Sequence, residues 1–243
     1  MQNKHAGQAI VDSLALHGVK RVFFMSSLSV HRFDGWVDAG EDTPMAPEGY
    51  FPYCVSKGEA ERLAFDLARE RGVTLSAART GVVFGANDHN TFLRLADGVR
   101  GGLYAHVAGG GTYLPVSCVS NLLDGIVLCA TRDEAAGRVY NLVDDGKTTW
   151  REFVDAVCDA LGWKRVTRTV ALGVARATGA ILEDAFRLVR AKTAPPVTRY
   201  RVAYVAKHLH FSNARARREL GFDPRVTIQE EMARAASWYL AKR

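Results

Sequence analysis

The sequence predicts an α/β fold in which a doubly wound parallel sheet is followed by a small mixed lobe. Three observations carry this. Helical and strand patterns alternate over residues 1–86, as they do where crossovers connect parallel strands. The strand candidates there are short continuous apolar runs, as expected of strands covered on both faces. Over residues 87–243 the alternation loosens into a mixed α/β region, with 112–147 expected to return in part to the sheet.

In order along the chain, residues 6–17 place Ile10, Val11, Leu14 and Leu16 at roughly helical spacing, and Gly18 ends that helix. Arg21-Val22-Phe23-Phe24-Met25 is an apolar strand, with Ser26, Ser27, Leu28 and Ser29 at its carboxyl end. Residues 31–52, rich in Gly, Asp and Pro, read as a loop. A helix follows over 54–71, with Val55, Ala60, Leu63, Ala64 and Leu67 on one face and Gly72 as its stop. Residues 74–84 form the next strand, passing into a loop at Gly81 and Gly85. Helices are predicted near 90–100 and 122–130, a strand at 138–143, and a helix over 149–161 with Thr148 or Thr149 as N-cap and Glu152 near the capping-box position. The run 169–190 reads as one amphipathic helix, interrupted by Arg176, Glu183, Asp184 and Arg187. Helices at 212–220 and 227–241 close the chain.

Bulk properties narrow the function classes. The chain has 243 residues, 48% hydrophobic and 24% charged, enough for one domain with a sizeable core. Its formal charge of +6 is spread among acids, as in Arg69-Glu70-Arg71, which argues against a nucleic-acid partner. Four cysteines without a C-x-x-C pair argue against zinc and for a reducing, cytoplasmic setting. No leader and no membrane span is expected. His208 and His210 fit one face of a strand, but without further ligands no metal is expected. His31, His89 and His106 fall in loops, where isolated histidines are more often solvated than catalytic.

The chemistry centres on Tyr53-Cys54-Val55-Ser56-Lys57. Tyr and Lys at i and i+4 share a face at the start of a helix. A tyrosine is a poor base at its ordinary pKa of about 10, and an ammonium close by favours the phenolate. Such a pair makes a general acid/base. Alone, Y-x-x-x-K is a weak signal. Ser27, 26 residues upstream at the end of an apolar strand, strengthens it, because open parallel sheets bind ligands at the carboxyl ends of their strands.

With these motifs in hand, the sequence resembles the extended short-chain dehydrogenase/reductases, the NAD-dependent epimerase/dehydratases. Gly18 to Ser27 looks like the strand ending in the catalytic serine of that family. Pro52-Tyr53-Cys54-Val55-Ser56-Lys57 followed by Glu59-Ala60-Glu61 looks like its P-Y-x-x-S-K-x-x-A-E helix start. Arg79-Thr80-Gly81-Val82-Val83-Phe84-Gly85 resembles its R-P-G-x-V-Y-G element, with Thr80 in place of proline. Residues 113–121 lack the Arg-Asp-Phe signature of sugar-nucleotide epimerases, and Thr198 to Val202 with Ala214 to Gly221 look closer to the 3β-hydroxysteroid dehydrogenase branch.

The resemblance implies a partial Rossmann-like sheet and Tyr acid/base chemistry with hydride transfer to or from NAD or NADP. The substrate would be a hydroxyl or ketone compound, hydrophobic and sterol-like or sugar-type. It assigns catalysis to Ser27, Tyr53, Lys57 and Asn3, and cofactor contact to Ser26, Tyr53, Lys57, Thr80, Gly81, Val82 and Val83. Leu28, Ser29, Trp36, Phe84 and Asn121 are the candidates for substrate contact, and Tyr50 is a further candidate for the pocket wall.

The family's opening strand, G-x-x-G-x-x-G turn and helix have no counterpart here. Gly98, Gly101 and Gly102 do not follow a strand, and Gly109 to Gly111 do not open a helix. Residues 1–86 therefore read as a remnant of the nucleotide-binding domain. Three readings stay open: a fragment of an ordinary enzyme, a chain completed by a second polypeptide or copy, or a cofactor-free module with non-redox chemistry. A homodimer through helices 6–17 and 54–71 is also implied.

Overall fold

The computed structural model describes residues 16–49, 51–191, 193 and 195–242. Asn3, Tyr50 and nearly all of the helix expected at 6–17 lie outside them. Strand β1 (Arg21–Ser27) pairs in parallel with β3 (Thr74–Thr80) along its whole length, from Arg21 against Thr74 to Ser27 against Thr80. β7 (Val139–Leu142) adds in parallel to the far side of β3, giving the order β1-β3-β7. Helix α1 (Pro52–Glu70) connects β1 to β3 and covers one face, where its Ala64, Phe65 and Ala68 meet Val22 and Phe24 of β1, Leu75 of β3 and Val73. Helix α3 (Val119–Thr131) covers the other face, where Leu122 and Cys129 meet Ala78, Tyr140 and Leu142. Helices on both faces make the sheet doubly wound.

The sequence suggests that β1 is buried on both faces. In the structure only Ser26 and Ser27 of β1 are buried, and Arg21 to Met25 are half-buried. The reason is position: β1 is an edge strand among the described residues, whereas the central β3 is buried from Leu75 to Thr80.

Residues 74–84 form two strands, not one. A Cβ on Gly81 would lie 2.0 Å from the Pro115 carbonyl oxygen, so only glycine lets the chain turn there. Beyond it, β4 (Val82–Phe84) leaves the main sheet and pairs in parallel with β6 (Val116–Cys118). The segment 31–52 likewise contains a strand, β2 (Trp36–Ala39), which pairs in parallel with β9 (Leu209–Phe211).

The remaining helices build the second lobe. α2 (Phe92–Arg100), α4 (Trp150–Ala160) and α8 (Ile228–Ala241) enclose Phe84, Leu114, Phe153, Met232 and Tyr239. α4 and α8 both open with a capping box, Thr149 with Glu152 and Thr227 with Glu230. The run 169–190 begins not as helix but as β8 (Thr169–Val170), paired with β5 (His106–Val107). It continues as α5 (Leu172–Leu188), which packs on α6 (Arg199–Val205). Gly179 allows this contact, since a Cβ there would stand 3.1 Å from the Thr198 carbonyl carbon. α7 (Ala214–Leu220) ends at left-handed Gly221. All four cysteines are free and buried. Among the described residues no helix is long and apolar enough to cross a membrane.

Candidate active site

The site is assembled where β1 and β3 end. α1 starts with Pro52 in its first turn, where a missing N–H leaves no bond unmade. Tyr53, Lys57 and Glu61 then follow at i, i+4 and i+8 and share a face. The Lys57 ammonium donates to the Met25 carbonyl at 3.2 Å, which ties it to the end of β1 and leaves two N–H groups for other acceptors. The Tyr53 side chain stays open to solvent, 48% exposed. Ser27 caps the short turn Leu28–Val30: its hydroxyl oxygen accepts the Ser29 N–H at 3.2 Å, so its own proton is free to be donated.

Beside Tyr53 lies an open cleft of about 420 Å³. It is lined by Phe51, Pro52, Tyr53 and Tyr200 together with the charged Glu183, Asp184, Arg187 and Arg199. Arg199 is committed, donating to Glu183 at 2.8 Å and to Asp184 at 2.7 Å. Tyr200 joins the cleft to the strand end. Its hydroxyl lies 3.2 Å from Ser29 Oγ, and its ring meets those of Tyr53 at 6.2 Å and Phe51 at 5.2 Å between centroids. Burial pushes the Tyr200 hydroxyl up to about 12, so it remains a proton donor at neutral pH. Burial also pushes the neighbouring Cys54 thiol up to about 11, which leaves it unreactive as a nucleophile.

Behind Lys57 is a buried polar network. Ser26 donates to Glu61, and Glu61 receives Arg79 in a fork, with Nη2 at 2.6 Å from Oε1 and Nε at 3.1 Å from Oε2. Arg79 Nη1 donates to the Glu41 carbonyl and to His31 Nε2. Glu61 and Arg79 side chains are 3% and 4% exposed.

The structure thus gathers Ser26, Ser27, Ser29, Tyr53, Lys57 and Thr80 around two strand ends. Other candidates sit differently. Phe84 is fully buried and packs edge-on against Phe153 at 5.1 Å, because β4 has turned into the second lobe. Asn121 is a brace: it donates to Asp144 and to the Val226 carbonyl and accepts the Val226 N–H. These two have packing roles in place of the substrate contact expected. Leu28 belongs to a buried cluster with Phe33 and Phe51, and Trp36 packs on that cluster while its indole donates to the Arg32 carbonyl at 2.6 Å. In the Thr80–Val83 element, the Gly81 and Val82 N–H groups are engaged by Ser117 Oγ and the Pro115 carbonyl. The loop histidines divide: His89 is exposed, whereas His31 and His106 are wholly buried. His210 is held on β9 by the Asp38 N–H and the Gly146 carbonyl. Among the described residues no group of three His, Cys, Asp or Glu is placed to hold a metal.

Sequence reasoning missed two participants. Glu61 was visible only as a motif letter, one turn beyond Lys57 on the same face. Tyr200 lies in a segment noted for its resemblance, but nothing local signals that its ring reaches Tyr53.

No protein-family model matches the chain. It is 27% identical over 233 residues to a 2-alkyl-3-oxoalkanoate reductase of Stenotrophomonas maltophilia, covering 93% of this chain and 70% of that protein. It is 26% identical over 240 residues to a 3beta-hydroxysteroid-dehydrogenase/decarboxylase of Arabidopsis thaliana, covering 93% of this chain and 54% of that one. The chain therefore spans between about half and 70% of these relatives' length. Among solved structures, DesIV, a dTDP-glucose 4,6-dehydratase of Streptomyces venezuelae with NAD bound, superposes with a TM-score of 0.75 at 20% identity, over 99% of this chain and 66% of that one. Over the part it shares, the chain has the fold of the extended short-chain dehydrogenase/reductases, and it is a sequence relative of their hydroxysteroid dehydrogenase and oxoalkanoate reductase members.

Proposed function

We propose that this chain carries the catalytic half of an NAD- or NADP-dependent oxidoreductase acting on a hydroxyl or ketone group of a hydrophobic substrate. The single observation that carries the reading is the placement of Lys57. Its ammonium is anchored on the Met25 carbonyl one helical turn from the solvent-open Tyr53, at the carboxyl end of the strand that carries Ser27.

The residues present fit the nicotinamide end of such a cofactor. Lys57 has two N–H groups left for ribose hydroxyls, and Thr80 ends β3 opposite Ser27. No glycine-rich strand–turn–helix for the pyrophosphate is present among the described residues. The nicotinamide, when bound, supplies or accepts the hydride. The chain's own residues handle the proton and the oxygen. Tyr53 gives a proton to the carbonyl oxygen in reduction and takes it from the alcohol in oxidation. Ser27 donates its free O–H to the same oxygen and holds it against Tyr53. Asn3, outside the described residues, is the expected support for Lys57. Phe51, Tyr53 and Tyr200 offer an apolar surface for the substrate body, beside the charged Glu183, Asp184, Arg187 and Arg199.

A second reading rests on β1, an edge strand among the described residues whose apolar side chains are only half-buried. In that reading the nucleotide site is completed by another chain or a second copy, with α1 in the contact, or the chain serves as a cofactor-free module. The four buried free thiols support a cytoplasmic setting.

Titration of the 243-residue chain with NADH and NADPH, followed by nicotinamide fluorescence, tests the reading. Saturable binding that Lys57→Met abolishes is expected of the dehydrogenase, with Tyr53→Phe binding normally but not turning over. Absence of binding at millimolar cofactor refutes it for the isolated chain and leaves the completed-site reading to be tested with a partner chain.

A further inference from the structure

Most of the side chains that α1 buries are small. Its buried residues are Cys54, Gly58, Ala64, Leu67 and Ala68 besides Glu61, with Phe65 partly buried on the same core. Small side chains let a helix approach closely, but they fill no deep hole and so resist rotation or sliding poorly. What does discriminate one phase from another is the Glu61 carboxylate. It receives the Ser26 hydroxyl from the end of β1 and the forked Arg79 guanidinium from the end of β3. The strand partners are in register, Ser26 opposite Arg79 and Ser27 opposite Thr80. One buried carboxylate therefore ties the helix to both strand ends immediately behind Ser27.

We propose that the Glu61–Arg79 pair is the positioning element of this site, fixing the rotation and axial level of α1 so that Tyr53 and Lys57 stand over Ser27. The fork geometry suits this role. A planar guanidinium sharing two N–H directions with one carboxylate fixes an angle as well as a distance. Arg79 is itself held by the Glu41 carbonyl at 3.2 Å and by His31 Nε2 at 3.3 Å, so the anchor is fixed on the side away from the helix. Buried ion pairs contribute little net stability compared with apolar pairs of the same volume. Removing both charges together therefore separates positioning from folding.

The test is the Glu61→Leu/Arg79→Met double variant of the full chain. Its melting temperature is expected at or near the wild-type value. Its kcat with NADPH and a hydrophobic ketone is expected to fall by about a hundredfold, as for a displacement of roughly 1 Å at reacting groups, with KM little changed. A second readout needs no activity. Cys54, adjacent to Tyr53 and 0% exposed, becomes accessible if α1 turns, so native iodoacetamide labelling with peptide mapping should place label on Cys54 in the variant and not in the wild type. A well-folded double variant with wild-type kcat and a protected Cys54 overturns the proposal. Should that variant not fold, Arg79→Lys, which keeps the positive charge beside Glu61 but not the planar fork, carries the same two readouts with the same deciding outcomes. The turnover arm rests on the dehydrogenase reading above; the labelling arm does not. A wild-type chain without turnover thus counts against that reading while the Cys54 result still decides this one.

Discussion

Acidification should destabilise this protein through His31 before the carboxylates are reached. The imidazole is wholly buried, stacked on Phe211 at 5.2 Å between ring centroids. Its Nδ1 lies 3.0 Å from the Pro44 carbonyl, to which it donates, and its Nε2 accepts from Arg79 Nη1 at 3.3 Å. That arrangement requires the neutral ring. Burial, reinforced by the Arg79 charge and opposed by the Pro44 carbonyl and Glu61, lowers its pKa from 6.5 to about 4. A histidine whose folded pKa lies below its unfolded value binds its proton more readily in the unfolded chain. The stability it allows is therefore complete above pH 6.5 and is lost as pH falls toward 4. With those two values the loss is about 2 kcal/mol at pH 5 and about 3 kcal/mol at pH 4. His106, also lowered by burial, acts in the same direction, so the comparison must be internal. Gln in place of His31 can donate to Pro44 and accept from Arg79 without titrating. Urea unfolding at about pH 7.5 and about pH 5 should show the wild type losing about 2 kcal/mol more than His31→Gln. Equal losses in the two proteins would mean that His31 is not held neutral, and the hydrogen-bond assignment behind Arg79 would fall with it.

Three further outcomes are expected. Gly81→Ala places a methyl 2.0 Å from the Pro115 carbonyl oxygen, and since that oxygen is backbone, β4 must part from β6; thermal melts should show a loss of about 3 kcal/mol. Tyr200→Phe removes one hydrogen bond to Ser29 and should cost about 1 kcal/mol, whereas Tyr200→Ala also strips ring contacts to Phe33, Phe51 and Tyr53 and should cost about 3 kcal/mol by urea denaturation. Thr149→Ala deletes the hydroxyl half of the α4 capping box, and a loss of about 1 kcal/mol in the same assay is expected.

What the sequence discloses about this site, and what it hides, follows from how far apart the interacting groups lie. Tyr53 and Lys57 are legible because the helical repeat alone puts i and i+4 on one face. Ser27 is legible because an apolar run that stops at serines marks a strand end, and the Thr149 cap because it closes on a glutamate three residues away. None of these needs knowledge of a distant element. The break at Gly81 does: residues 82–84 have the composition of a continuing strand, and only the Pro115 carbonyl shows why the chain must leave β3 there. That one turn carries Phe84 from the expected substrate wall into the second lobe, where it meets Phe153. The pairing of β2 with β9 is hidden for the same reason, since Trp36 faces Leu209 across most of the chain. His31 was read as a loop residue in water because its stacking partner, Phe211, and its donor, Arg79, come from two other segments. The residues local rules reveal are those that perform chemistry within one element. The residues they conceal, Glu61 with Arg79, His31 with Arg79, and Tyr200 with Ser29, join one element to another. A substitution at Tyr53 should thus leave the fold standing while removing the reaction. At Arg79, unless Glu61 is changed with it, a substitution leaves a buried carboxylate without its counter-charge, and folding and reaction should be lost together.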